Sequence, residues 1–213
     1  GFEPRFVTLI AEQAYGENYG SLQPHTELLG LHGNRASEQF LTKLAETKQY
    51  WVYNAPYTRL SFGVYLWRAH ANGRFEWHWA HWPETSAAGY EGHDPYNPFL
   101  HDDSMSLTLP APSTERGGVY LRAKAIEAAM GIRDYQMLIT LEALIRKAAK
   151  SQNEKAKAWA RYATQALEQL RQDIPLILNE DKADWYATYL QTKPIDTLNE
   201  LLASVPVELL VTD

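Results

Sequence analysis

The sequence predicts an α/β protein: parallel strands joined by crossover helices, followed by a helical carboxyl-terminal region. Three observations carry this. Short β-like runs alternate with amphipathic segments in the order β–β–α–β–α–β before Gly117, and such alternation argues for a parallel sheet. After Gly117 the pattern turns helical almost throughout. The composition, 45% hydrophobic and 22% charged over 213 residues, is that of a globular chain long enough to bury a sizeable core.

The elements follow in order. Phe6 to Ile10 (FVTLI) and Glu27 to His32 (ELLGLH) read as buried strands. Ser37 offers an N-cap to a helix over 38–47, where Phe40, Leu41 and Leu44 recur at helical spacing. Tyr50 to Asn54 (YWVYN) is a third strand, closed by Ala55-Pro56. Leu60 to Ala71 is a helix ended by Asn72-Gly73, and Arg74 to His81 is a fourth strand. Pro83 to Thr114 is a long linker for a compact domain, with one more strand at MSLTL (105–109). Val119 to Lys150 is a long helix with Leu121, Ile126, Ala129, Met130, Leu138, Leu141 and Ile145 on its apolar side. Gly131 interrupts it at a cost of about 1 kcal/mol, which predicts a kink or a close contact there. Helices over 153–172, 182–191 and 196–204 complete the chain, giving a barrel-like segment over 1–116 and a helical region over 117–213.

Composition excludes several classes. A net charge of −6 argues against a nucleic-acid partner, which needs clustered Lys and Arg. No apolar run approaches the roughly 18 residues of a membrane span. Without cysteine there is neither a disulfide framework nor a thiolate zinc site. Seven Trp and thirteen Tyr, most of them in the first hundred residues, suit surfaces that are part apolar and part hydrogen-bonded, such as a sugar ring presents.

The densest aromatic stretch is Arg74 to Asp94, RFEWHWAHWPETSAAGYEGHD. In a strand, Phe75, Trp77 and Trp79 share one side while Glu76, His78 and Ala80 share the other. Metal ligation is the rival reading for the histidines. His78 and His81 are three apart, which places them on opposite sides of a strand; solvent-exposed loop histidines are the better reading, and no metal or other cofactor is expected. Trp51 and Tyr53 project to one side of the third strand, and Asn54 ends it. An indole can stack on a pyranose face and an Asn can bridge vicinal hydroxyls. The plainer readings are core packing for the aromatics and turn formation for Asn54 before Ala-Pro.

Three stretches together resemble a known family: WVYN after an amphipathic helix, FEWHWAHW after the next helix, and YLRAKAIEAAMGIRDYQMLITLEALI. The order is similar to the carboxyl-terminal third of the domain of unknown function 4091 group, itself similar to the catalytic domain of glycoside hydrolase family 123. The resemblance spans roughly residues 27–148 and is sharpest at Gly131-Ile132-Arg133-Asp134-Tyr135; Asp94-Pro95 sits where the family has an Asp-Pro pair. It implies a partial or reduced (β/α) barrel, this chain being its carboxyl-terminal portion or a reduced relative, and an extracellular or periplasmic setting. It also implies glycosidic-bond hydrolysis, in which the substrate's own acetamido group would act as nucleophile and enzyme carboxyls would orient it and protonate the leaving oxygen.

Chemistry in a barrel gathers at the carboxyl ends of the strands. That makes Trp51, Tyr53, Asn54, His78, Trp79, Trp82 and Asp94 the candidate carbohydrate contacts. The family's Asp-Glu pair occurs nowhere in this chain, and Ala129-Met130 replace the usual Arg-Glu before Gly-Ile. Glycoside hydrolysis needs two carboxyls, and none of Glu76, Glu84, Glu91, Asp94, Asp102 or Asp103 carries a signature, so no catalytic acid is assigned. Two readings stay open: a glycoside hydrolase-type protein, or a non-catalytic glycan-binding or scaffold protein. A helical interaction module with the first half as its packing partner is a third; burial of Trp51, Trp77, Trp79 and Trp82 all away from any cleft would favour it and exclude both sugar readings. Oligomeric state is not legible.

Overall fold

The computed structural model describes residues 7–10, 28–32, 41–42, 46, 49–53, 55, 57–75, 108–110, 119–121, 123–176, 178, 186–187 and 193–210. Four short strands pair in chain order: β1 (Val7–Ile10), β2 (Leu28–His32), β3 (Gln49–Tyr53) and β4 (Gly73–Phe75). Every pairing is parallel, with Val7 opposite Leu28, Leu28 opposite Gln49 and Trp51 opposite Gly73. Parallel neighbours need a crossover between them, and between β3 and β4 it is made by α1 (Thr58–Phe62) and α2 (Val64–Ala69). Between β2 and β3, Leu41, Thr42 and Glu46 are helical. The parallel α/β arrangement expected from the alternating pattern is therefore present; among the described residues no further strand joins this row.

The sequence predicts one helix over 60–71, whereas the structure breaks it at Gly63. The predicted stop at Asn72-Gly73 also moves. His70 ends α2 in the left-handed region, φ 54°, its N–H directed to Leu66 O and Trp67 O. Gly73 is instead the first residue of β4.

A second sheet pairs β5 (Thr108–Pro110) with β6 (Val119–Leu121), antiparallel. Of the strand predicted at 105–109, Thr108 and Leu109 lie in β5 and the rest is outside the described residues; the long helix predicted from Val119 begins only after β6. That helix, α3 (Ala123–Ala149), is followed by α4 (Glu154–Asp173) and α5 (Lys193–Ala203). Asn153 caps α4, its side-chain oxygen accepting from Lys155 N–H at 2.8 Å, as expected for an N-cap Asn. A 3-10 turn over Val207–Leu209 closes the described chain.

One buried cluster joins Leu41, Tyr50, Val52, Leu60, Val64 and Tyr65 of the first half to Leu138, Leu141, Trp159, Leu167, Leu198 and Leu209 of the second. The change of character at Gly117 is thus a change of secondary structure within a shared core.

The apolar stripe predicted for the long helix is shifted. Leu121, Ile126 and Met130 are exposed, and the buried line runs through Ala128, Gly131, Asp134, Leu138 and Leu141. Two polar-looking positions on that line explain the shift. A Cβ on Gly131 would stand 2.3 Å from Arg59 O and 3.0 Å from Phe62 Cβ; a Cβ on Gly63 would stand 2.9 Å from Gly131 O. The helices therefore meet through their backbones, and Gly131 makes a close contact of the kind its position predicts. Beside it, Asp134 is buried because Arg59 pairs with it through two hydrogen bonds. Periodicity counts both residues as breaks in the stripe, although packing uses both.

Candidate functional site

Strand β3 sorts its side chains by alternation. Tyr50 and Val52 are fully buried against the helix layer. The Tyr50 hydroxyl donates to Ala69 O, and its backbone is clamped by Asn72: Tyr50 N–H donates to Asn72 Oδ1 at 3.0 Å, and Asn72 N–H to Tyr50 O at 2.8 Å. Tyr65 lies beside it and donates to Leu176 O at 3.1 Å. Burial raises the pKa of both phenols, so both stay protonated.

Trp51 and Tyr53 take the opposite face. Tyr53 is buried at the carboxyl end of the strand, whereas Trp51 is 39% exposed. The Trp51 indole lies across Gly73, its register partner on β4. A Cβ at Gly73 would meet indole ring atoms at 3.1 to 3.3 Å. Gly73 is thus the floor that lets the indole lie along the sheet while Trp51 stays partly exposed. The other described tryptophans are packed. Trp67 donates from Nε1 to Glu142 at 2.7 Å, under the Arg171 guanidinium at 4.2 Å from the ring centre, and Trp159 donates to Ser204 Oγ at 3.1 Å. Among the described tryptophans, Trp51 alone presents its ring to solvent.

The structure thus brings together two of the predicted sugar contacts, Trp51 and Tyr53, on one face of one strand. Asn54, His78, Trp79, Trp82 and Asp94 lie outside the described residues, as do the carboxyls Glu76, Glu84, Glu91, Asp102 and Asp103. Among the described residues no group of three or more His, Asp or Glu could hold a metal ion.

No family model, curated protein or solved structure matches this chain. The glycosidase resemblance rests on its motifs alone. The sharpest of them, Gly131 to Tyr135, has a structural account here: Gly131 allows the helix contact, Asp134 pairs with Arg59, and Tyr135 packs partly buried against the core.

A group that sequence reasoning missed stands at the carboxyl edge of β3. Tyr57 is four residues beyond Tyr53 and has φ 59° and ψ 74° at the start of α1, a backbone setting that is costly for a bulky residue. Its ring packs against Tyr186, centroids 4.5 Å apart at 36°. The Tyr186 hydroxyl donates to Glu127 Oε2 at 3.3 Å, and burial followed by the nearby Glu127 charge pushes that phenol's pKa up. Nothing in the local sequence marks Glu127, which reads as one more polar position on a long helix. Only tertiary packing brings it to this edge.

A cavity of about 250 Å³ opens at the other edge of the sheet, where α2 turns into β4, between Leu41, Thr42 and Glu46 on one side and Arg68, His70 and Leu176 on the other. It lies away from Tyr53 and Tyr57, at the edge opposite the one where parallel sheets bind their ligands.

Proposed function

We propose that the chain is a carbohydrate-active protein of the glycoside hydrolase type, its β1–β4 row belonging to a (β/α) barrel-type sheet, with a sugar stacked on Trp51. The observation that carries this reading is the Trp51 indole itself, laid flat over Gly73 on the sheet face away from the helices and open to solvent. A partly exposed indole offers a pyranose both an apolar plane and a large contact area at little cost in flexibility. The exposure of Trp51 means that burial of all four tryptophans, which would have favoured the helical-module reading, is not met. Four parallel strands in chain order, with two helices crossing between β3 and β4, support the barrel part of the reading.

The substrate class drawn from the resemblance is N-acetylhexosaminides. Because the chain contains no Asp-Glu pair, binding without turnover is the second reading. The test has two arms. Titration with N-acetylglucosamine should show binding that Trp51→Ala removes; an unchanged affinity in that variant sinks the sugar reading. Incubation with an aryl N-acetylhexosaminide then separates the two readings, since release of the aryl alcohol by the purified chain excludes a purely binding role.

A further inference from the structure

We propose that the Tyr57–Tyr186 ring pair and the Glu127 carboxylate form a second subsite, for a neutral sugar unit, at the carboxyl edge of the parallel sheet. The inference rests on the reading of Trp51 as a sugar platform, and it extends the binding surface from the sheet face to its rim. Ligands of open parallel sheets bind at this edge. Tyr57 reaches it directly, as the first residue before α1 after the strand that carries Trp51.

The chemistry of the group fits a polyol. Tyr57 and Tyr186 are both partly buried, so each ring is anchored while part of it reaches solvent. Glu127 is also partly buried and uses Oε2 to accept from Tyr186; Oε1 has no partner among the described residues. A carboxylate oxygen held in place by a phenol is a strong acceptor for a sugar hydroxyl. Exposed apolar side chains stand next to it on α3: Ile126 precedes it and Met130 is one turn further on.

Charge sets the class of sugar. Two cations stand near this group: Lys124, one turn before Glu127 on α3, and Arg59, which gives both Nε and Nη2 to Asp134. The Glu127 carboxylate disfavours a second carboxylate beside it, which selects against uronic and sialic acids and for neutral units. The left-handed backbone of Tyr57 is consistent with this role, since strain of this kind collects where a side chain must be aimed.

The test compares chitotetraose, N-acetylglucosamine and sialyllactose by titration calorimetry on the full chain. The variants are Glu127→Gln, which keeps the shape and the bond from Tyr186, Tyr57→Asn, whose new residue tolerates the left-handed backbone, and Trp51→Ala. Unchanged circular dichroism and melting serve as the folding control. Expected are chitotetraose affinities weaker by roughly ten-fold in the first two variants, the loss of one charge-assisted hydrogen bond or ring contact. N-acetylglucosamine affinity should stay as in the wild type, and sialyllactose should bind less well than chitotetraose. Wild-type affinity for chitotetraose in both rim variants overturns the subsite and leaves the Trp51 reading standing. Loss in both while Trp51→Ala binds normally upholds the subsite and overturns the Trp51 platform. No binding of any of the three sugars to the wild-type chain overturns both.

Discussion

Arg59 and Asp134, 75 positions apart in the chain, close a two-point ion pair, Nε to Oδ2 at 2.8 Å and Nη2 to Oδ1 at 3.0 Å. It joins the helix that follows β3 to the long helix of the second half, beside the backbone contact of Gly63 with Gly131. Removing one partner leaves the other charge almost without water. Asp134→Ala should therefore cost about 3–5 kcal/mol in urea unfolding. The double variant Arg59→Met, Asp134→Leu should lose clearly less. A single-variant loss below about 1 kcal/mol would mean that the pair behaves as a surface bridge.

Gly131→Ala reverses the usual helix rule. In an open helix the change gains about 1 kcal/mol. Here the new Cβ would stand 2.3 Å from Arg59 O, a backbone atom that cannot swing away. The expected outcome is a net loss of about 1–3 kcal/mol, read as a lower urea midpoint at unchanged slope. A rise in the midpoint would show that the two helices separate at little cost.

Gly73→Ala tests the seat of Trp51. The added Cβ meets the side chain of Trp51 at 3.1 to 3.3 Å, so the indole tilts while the strand stays paired. Stability should change by less than about 1 kcal/mol, whereas N-acetylglucosamine affinity should fall with it. Retained affinity would place the sugar elsewhere than on that indole.

His70 gives the fold a mild acid sensitivity. Burial, then Arg171, holds its pKa below the ordinary 6.5, with Glu142 opposing and Arg68 adding to the effect. The unfolded chain then binds more protons than the folded one between that lowered value and 6.5. Stability accordingly falls as pH drops below about 6.5 and levels off once the folded state is protonated too. Solvent reaches His70, so the effect is small. His70→Asn, compatible with the left-handed backbone, should flatten this slope in melting curves from pH 7.5 down to 5 at about 0.1 M salt. An equal slope in the variant would assign the sensitivity to other groups.

Much of the first half was legible in the residues. The runs around Val7, Leu28 and Tyr50 are strands, and the predicted alternation places Trp51 and Tyr53 together, away from Tyr50 and Val52. The long helix was legible from Ala123 onward, though not in its buried line, and residues 119–121 form β6 instead. Hydropathy favours Ile126 and Met130, whereas packing buries Gly131 and Asp134. A glycine contributes no hydropathy signal, and a carboxylate signals the surface unless its partner is known.

The sequence by itself determined most of the local elements, the parallel order of β1 to β4 and the aromatic face of β3, because these depend on periods of two and of 3.6 within short windows. The tertiary structure decided the rest: which side of α3 is buried, why Gly73 belongs under Trp51, and that Tyr57, Glu127 and Tyr186 share one edge. Those contacts join positions dozens of residues apart. Their energies come from close approach and paired charge, which no local pattern of hydropathy records.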